Sequence, residues 1–205
     1  MMQEAVVYNP PATSMKYLFA EEPMTYTGQQ LANHWIYKTF GVMGDAVVGF
    51  IGPSELDPSM MVDLEDVMNN DTIYSSHMLN FIIEIFNIPL PQGVLLQRLF
   101  TSIIHSRIAD VLDPDQQYRI RRVGDDLFVD ASKKLSVSIC TISPTSILIH
   151  TGLNIESDGA PIEAAGLLSE LAIEDIQALA VSCMKHFVEE VDDIKRSCCK
   201  VKAVF

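Results

Sequence analysis

From Lys134 onward the chain alternates: Leu135, Val137 and Ile139 are apolar at every second position, with Lys134, Ser136, Ser138 and Cys140 between them. Such alternation marks a half-buried strand. After Ser143-Pro144-Thr145, where proline presets φ and lacks a donor, a second strand follows. In it Ile147, Ile149, Leu153 and Ile155 share one parity, and Leu148, His150, Gly152 and Asn154 the other. A three-residue loop sets Ser138 opposite His150, Ser136 opposite Gly152 and Lys134 opposite Asn154, a register that keeps the apolar faces together. The pattern predicts a lysine, a histidine and an asparagine on a face of small residues, either the floor of a pocket or a tightly covered core.

The same reading predicts the other elements. Residues 15 to 21 form a first strand. Thr27-Gly28-Gln29-Gln30 has the form of a capping box, opening a helix that turns Leu31, Trp35, Ile36 and Phe40 inward and stops at Gly41. Ala46 to Ile51, a nearly continuous apolar run ending at Gly52-Pro53, is a central strand covered on both sides. Two helices follow, the first with Met78, Leu79, Ile82, Ile83 and Phe86 on its apolar face, the second from about Val94 to Leu112 with Leu95, Leu99, Ile103 and Val111 at helical spacing. Asp113-Pro114-Asp115 is a turn, Tyr118 to Ile155 is β-rich, and a polar loop from Glu156 to Pro161 leads to a last helix. There Ile173, Ile176, Ala180, Cys183, Phe187, Val191 and Ile194 recur every three or four residues, so that helix lies on the sheet, and 197–205 is a tail. This order does not alternate as a doubly wound sheet does. It predicts an α+β fold, a mainly antiparallel sheet with helices packed on it, in one domain over 1–205 with an ordered core of about 15–196.

Met60 to Asp66 has two readings. As a strand it puts Asp63 and Glu65 on one face, a spacing that suits Mg²⁺ or a cationic ligand group. As a helix start, its acids complement the positive helix end, and this is the preferred reading.

Composition narrows the function classes. A net charge of −13, with 14 Lys and Arg against 27 Asp and Glu, argues against a nucleic-acid partner, which demands clustered cations. No apolar run approaches a membrane span, and Met1 to Pro11 lacks the features of a signal peptide, so the expectation is a cytoplasmic protein without a membrane partner. The one basic cluster is Arg119-Ile120-Arg121-Arg122. Arg119 and Arg121 share parity and neutralise neighbouring acids, while Arg122 points the other way and is the candidate for docking a ligand phosphate. Cys140, Cys183, Cys198 and Cys199 form no metal signature, and Cys198-Cys199 falls in the tail. His77 and His105 stand in no ligand spacing, and the common nucleotide, hydrolase and metalloprotease motifs are absent.

The stretch Gly124 to Ile155 resembles the core of the biotin and lipoate protein ligases, which have the class II aminoacyl-tRNA-synthetase-like fold. Their motif is an Asn-Asp-aliphatic step, then Lys-Leu/Ile-small-small, then a glycine and an asparagine on the next strand. Asp125-Asp126-Leu127, Lys134-Leu135-Ser136 and Gly152-Leu153-Asn154 stand at those steps. The whole chain, with Met61 to Asp66 and Gly124 to Phe128, also resembles a small uncharacterised family, mainly archaeal and bacterial, that shares this fold. The resemblance implies that Lys134 meets the activated acyl group, with Asp126 near it and Asn154 on the pocket floor. Ser136, Ser138, His150 and Gly152 complete the substrate surface, Arg122 is the cofactor residue, and Asp63 with Glu65 is the second-choice metal site. It further implies ATP with Mg as cofactor, a small carboxylic acid as ligand and an acceptor protein as partner.

The chain departs from the ligase pattern at one place. Where the ligases carry a Gly- and Arg-rich loop on an early strand, it has only Phe40 to Asp45 and Ile51-Gly52-Pro53. Three functions therefore compete: an acyl-group ligase or transferase using Lys134, a non-catalytic small-ligand-binding module that kept the pocket and lost adenylation, and a homo-oligomer whose sheet face packs on a partner.

Overall fold

The computed structural model describes residues 5–8, 15–69, 74–130, 132–157 and 163–204, so most of the predicted loop after Ser157 lies outside the described residues. Among these residues the strands are β1 (Ala5–Tyr8), β2 (Lys16–Ala20), β3 (Ala46–Glu55), β4 (Tyr74–Phe86), β5 (Ile120–Val123), β6 (Asp126–Val129), β7 (Lys133–Lys134), β8 (Ser136–Ile142) and β9 (Ser146–Asn154). The helices are α1 (Trp35–Phe40), α2 (Leu64–Asn69), α3 (Leu90–Val111) and α4 (Ile176–Cys199). Six strands form one sheet in the order β1-β2-β3-β4-β9-β8, and β5-β6-β7 form a smaller one. Only the β2–β3 neighbours run parallel; the other pairs are antiparallel. The α+β expectation, a mainly antiparallel sheet with helices packed on it, is the architecture found. No helix among the described residues is long and apolar enough to cross a membrane.

The inner strands of the large sheet, β2, β3, β4 and β9, are buried on both faces. One face, with Tyr17, Phe19, Val47, Leu79, Phe81, Ile83, Ile147 and Ile149, packs under α3 and α4. The other, with Leu18, Val48, Phe50 and Ile82, packs under Tyr26, Ile36 and Phe40. Phe81 meets Phe100 edge-on at 5.1 Å and Phe100 meets Phe187 at 4.9 Å, so one aromatic chain ties β4 to α3 and α4.

The structure departs from expectation at β4, where a helix was predicted. Residues Met78 to Ile85 are buried without a break, on both faces of a central strand. A strand covered on both sides is apolar at consecutive positions, and such a run carries no period that separates it from a helix. Its Ile and Phe content suits a pleated surface instead.

Other boundaries shift for local reasons. Thr27 N–H donates to Gln30 Oε1 at 3.0 Å, as a capping box requires, but the chain turns through Ala32 and helix geometry begins only at Trp35. Gly41, at φ 72°, caps that helix in the left-handed region. The β3 strand runs past Gly52-Pro53 through a register shift between Gly52 and Ser54, a bulge that accommodates the missing proline donor. The helix α4 continues to Cys199, so Cys198 and Cys199 are exposed in its last turn rather than in a tail.

Because Phe100 is fully buried between two other rings, Phe100→Ala should lower unfolding stability by about 3–5 kcal/mol, through lost burial and the cavity left behind. Urea titration of both proteins measures the difference.

Candidate functional site

The predicted site divides on the turn between β8 and β9. Ser143 N–H donates to Ser146 O at 2.8 Å, so the connection is a two-residue turn, Pro144-Thr145, and not a three-residue loop. The register moves by one: Ser138 pairs with Thr151, Val137 with Gly152 and Ser136 with Leu153. Ser136 and Ser138 therefore share the helix-covered face, and His150 and Gly152 lie on the opposite one. Both serines are structural. Ser136 Oγ accepts from Leu127 N–H at 2.8 Å, and Ser138 Oγ, 3.0 Å from Gln97 Nε2, reaches His150 O at 3.1 Å.

On the other face His150 is a packed core residue. Its ring stacks on Tyr26 with centroids 3.6 Å apart, and Nε2–H donates to Asn80 Oδ1 at 3.0 Å. Burial pushes the imidazole pKa down to about 3, so it is neutral at ordinary pH, and burial likewise pushes the Tyr26 hydroxyl up. Gly152 leaves no room for a ligand: a Cβ there would lie 2.7 Å from Met78 Cε and 3.2 Å from Val137 Cγ2.

Three predicted residues do come together, where the small sheet meets the large one. Lys134 pairs with Phe128 across β6–β7, its N–H donates to Glu163 O at 3.0 Å and its carbonyl accepts from Ala165 N–H at 2.9 Å. Asn154 at the end of β9 holds the same crossing: its Nδ2 lies 3.4 Å from Lys134 O and 3.3 Å from Ala165 O. The Lys134 ammonium then meets Asp126 Oδ1 at 3.1 Å, with both side chains about one-third exposed, 31% and 32%. An ammonium so placed is fixed in position yet reachable. Asn154 acts on the backbone, as a clamp.

Register also explains the two adjacent aspartates. Asp126 shares the outer face of the small sheet with Lys134 and Phe128. Asp125 turns the other way, bridging Arg98 at 3.2 Å and accepting from Gln97 Nε2 at 3.0 Å, which pins the β5–β6 hairpin to α3. Lys133 points away from Lys134's face, and its charge helps hold the Asp130 and Glu170 carboxyls below their usual range. For Asp130 the leading cause is the Arg119 hydrogen bond; for Glu170 the largest single effect is burial, which raises it, and the hydrogen bonds from Ser169, Gly166 and Ser157 together overcome it.

Arg122 does not reach Lys134. It lies on the opposite face of β5 and donates through Nη1 to Gly124 O at 2.6 Å. The arginine sequence reasoning passed over is Arg121, whose guanidinium sits 5.5 Å from the Phe128 ring centroid, in the row Arg121, Phe128, Lys134. The shared parity of Arg121 and Val123, set against Asp126 and Phe128, was the available signal. Asp63 and Glu65 are not a strand pair. Asp63 Oδ1 accepts from the Glu65 and Asp66 amides at 2.8 and 3.4 Å, capping α2, the preferred helix-start reading. Among the described residues no group of three His, Cys, Asp or Glu gathers into a metal site.

His150 makes stability depend on pH. Its folded pKa lies below the ordinary 6.5, so below that pH the unfolded chain binds the proton first and stability falls, until about pH 3 where the loss is complete. Wild type should lose roughly 1 kcal/mol per pH unit more than His150→Gln over that window. Urea midpoints at a series of pH values measure it.

An uncharacterized protein of Methanocaldococcus jannaschii is 32% identical over 187 residues, covering 89% of this chain and 82% of that protein. A solved structure described as a protein of unknown function from Pyrococcus horikoshi superposes with a TM-score of 0.85 at 34% identity, over 94% of this chain and 100% of that one. The biotin protein ligase from Aquifex aeolicus, solved with biotin and ATP, superposes with a TM-score of 0.53 at 13% identity, over 88% of this chain and 72% of that one, which is a likeness of fold. A family model described as domain of unknown function DUF366 matches residues 15–202, and the chain belongs to that family, with a fold of the biotin protein ligase kind.

Proposed function

We propose that this protein handles the acyl group of a small carboxylic acid, as an acyl ligase or transferase, with Lys134 as the cation that meets the acyl oxygen. The observation that carries the proposal is the position of that ammonium. It is held by Asp126 at 3.1 Å, its backbone is fixed by β6, by residues 163–165 and by Asn154, and it remains about one-third exposed. A fixed ammonium stabilises negative charge on a carbonyl or carboxylate oxygen without reorganising at the moment of reaction. In this reading Asp126 and Asn154 are positioning residues: Asp126 aims the ammonium and Asn154 locks the strand crossing beneath it. Arg121 above Phe128 adds a second cation and a flat apolar surface on the same face, suited to an acid with an apolar body. The solved biotin protein ligase of this fold holds biotin, itself a carboxylic acid, together with ATP. By that analogy the substrate is a biotin-like or lipoate-like acid, the cofactor ATP with Mg and the partner an acceptor protein, in one globular domain over the whole chain.

One observation favours the second reading, a binding module without adenylation. Two of the three glycines in the region corresponding to the ligase loop have structural duties here. Gly41 caps α1, and Gly52 lets the Met24 carbonyl approach to 2.1 Å from where a Cβ would stand. No arginine accompanies them.

A thermal-shift panel of biotin, lipoate, and short and medium-chain fatty acids, each with and without Mg-ATP, separates the readings. Under the first, one acid raises Tm only with ATP. Under the second, an acid raises Tm alone. In both, Lys134→Ala should abolish the shift while leaving the unliganded Tm within a few degrees, because a partly exposed ion pair contributes about 1 kcal/mol or less. A Lys134→Ala protein that unfolds assigns the lysine a structural role and defeats the proposal.

A further inference from the structure

The large sheet ends on β8, and that edge lacks the devices by which sheet edges avoid pairing with another chain: charged side chains, proline, a bulge or shortness. The other edges among the described residues use them. The strand β1 has four residues, β5 carries the exposed Arg121 and Arg122, and β7 has two residues and is bridged by Ala164. By contrast β8 runs seven residues, Ser136-Val137-Ser138-Ile139-Cys140-Thr141-Ile142, with no charge and no proline. Its register against β9 is unbroken from Ser136 to Ile142, so no bulge turns it aside.

The turn fixes which backbone groups face outward. Ser143 and Ser146 form a hydrogen-bonded pair, and at the other end Asn154 N–H donates to Leu135 O. Antiparallel pairs alternate, so Val137, Ile139 and Thr141 direct their N–H and C=O groups to β9, while Ser136, Ser138, Cys140 and Ile142 aim theirs away from the sheet. Among the described residues no hydrogen bond from another strand reaches them. The side chains of Ser138 and Cys140 are engaged from above. Gln97 Nε2 holds Ser138 Oγ at 3.0 Å, and Cys140 Sγ lies 3.0 Å from where a Cβ on Gly93 would stand. Helix α3 therefore stiffens the strand from one face and leaves its edge open.

The opposite face carries a second, independent sign. Val137, Ile139 and Thr141 are β-branched and half-buried, and Val137 and Ile139 belong to neither hydrophobic core. They form a stripe beside the edge that the cores leave half in water.

Charge selects the occupant. At a net −13, two copies of this chain repel over most of their surface, and β8 is a surface where they do not. The strand also complements itself. A twofold axis through Ile139 sets Ser138 of one copy against Cys140 of the other, and Ser136 against Ile142, so each outward-aimed residue meets another and both backbone bonds form at each pair. Ile139 then lies against its own counterpart and Val137 against Thr141, which takes the half-exposed stripe of both copies out of water.

We infer that this chain pairs with a second copy along β8, antiparallel about Ile139, joining the two large sheets into one.

Sedimentation equilibrium of the full chain over a dilution series reads the mass of one chain, 22.8 kDa, or twice that. Wild type should give the doubled mass. Ile139→Glu sets two like charges face to face and should return the mass of one chain with the far-UV circular dichroism of wild type. Ile139→Cys gives a reading that does not depend on the folding of that variant. Opposed residues of a non-hydrogen-bonded pair lie about 4.5 Å apart at Cα, within the span of a disulfide. In a Cys198→Ser, Cys199→Ser background, which removes the exposed thiols, mild oxidation should link two copies through residue 139. Met43→Cys, at a position 70% exposed and away from the edge, should not link them. A wild type of single-chain mass, which would leave the edge to a strand of another protein, overturns the proposal. So does a doubled mass that survives in folded Ile139→Glu, or the absence of a link at residue 139. Lys134→Ala should keep the doubled mass whatever its response to ligand, so failure here and failure at the acyl site are read separately.

Discussion

The antiparallel register of β4 against β9, from Met78 opposite Asn154 to Phe86 opposite Ser146, is the constraint on which the rest of the molecule depends. Both strands are covered on both faces, so no solvent-facing side exists to choose a register. Polar residues choose it instead. Asn80 reaches His150 and Glu84 reaches Ser146 on the face away from α3 and α4. A slip of one residue would turn Asn80 and Glu84 toward Phe100 and Phe187, where neither finds a partner, and a buried polar group without one is costly. These polar pairs therefore select one arrangement from several that apolar burial alone would tolerate.

That register also separates the two ends of the sheet chemically. At the Asn154 end the large sheet hands over to the small one, and Lys134 is fixed by backbone bonds from three segments while its ammonium stays accessible. At the Ser146 end a tight turn and the irregular segment around His34 cover Glu84, which is buried and accepts from His34 N–H and Ser146 Oγ–H. One end presents a cation, and a tightly packed core separates it from the other. The middle of the sheet, where His150 and Gly152 lie, is filled by Tyr26 and Met78 and has no space for chemistry.

The kinship with biotin protein ligase is a kinship of fold, and function is carried by what the strands and loops present. Here Lys134 is positioned by the small sheet, by residues 163–165 and by the end of β9, while Gly41 and Gly52 are occupied by a helix cap and a close backbone approach.

The sequence by itself determined α4 with its buried face and the strands β8 and β9, because each depends on one segment's own pattern. It also placed a helix at α3, but the face buried there is Leu96, Phe100, Ile104 and Ile108, while Leu95 and Val111 of the expected apolar period are exposed. Lys134, Asp126 and Asn154 were legible together since their spacing follows a motif. Only the tertiary structure decided that Met78 to Ile85 is a strand, because a run covered on both faces has no polar side to set its period. It also decided that Ser138 faces Thr151 and not His150. That difference rests on a turn of two residues against three, and a change of one in turn length moves every side chain of the partner strand by one place. Of the residues that read as one face, Ser136 and Ser138 thus lie on one side of the large sheet and His150 and Gly152 on the other, and it is Arg121, not Arg122, that shares a face with Phe128. Register is a relation between segments, written in hydrogen bonds such as Ser143 to Ser146 that no single segment's pattern contains.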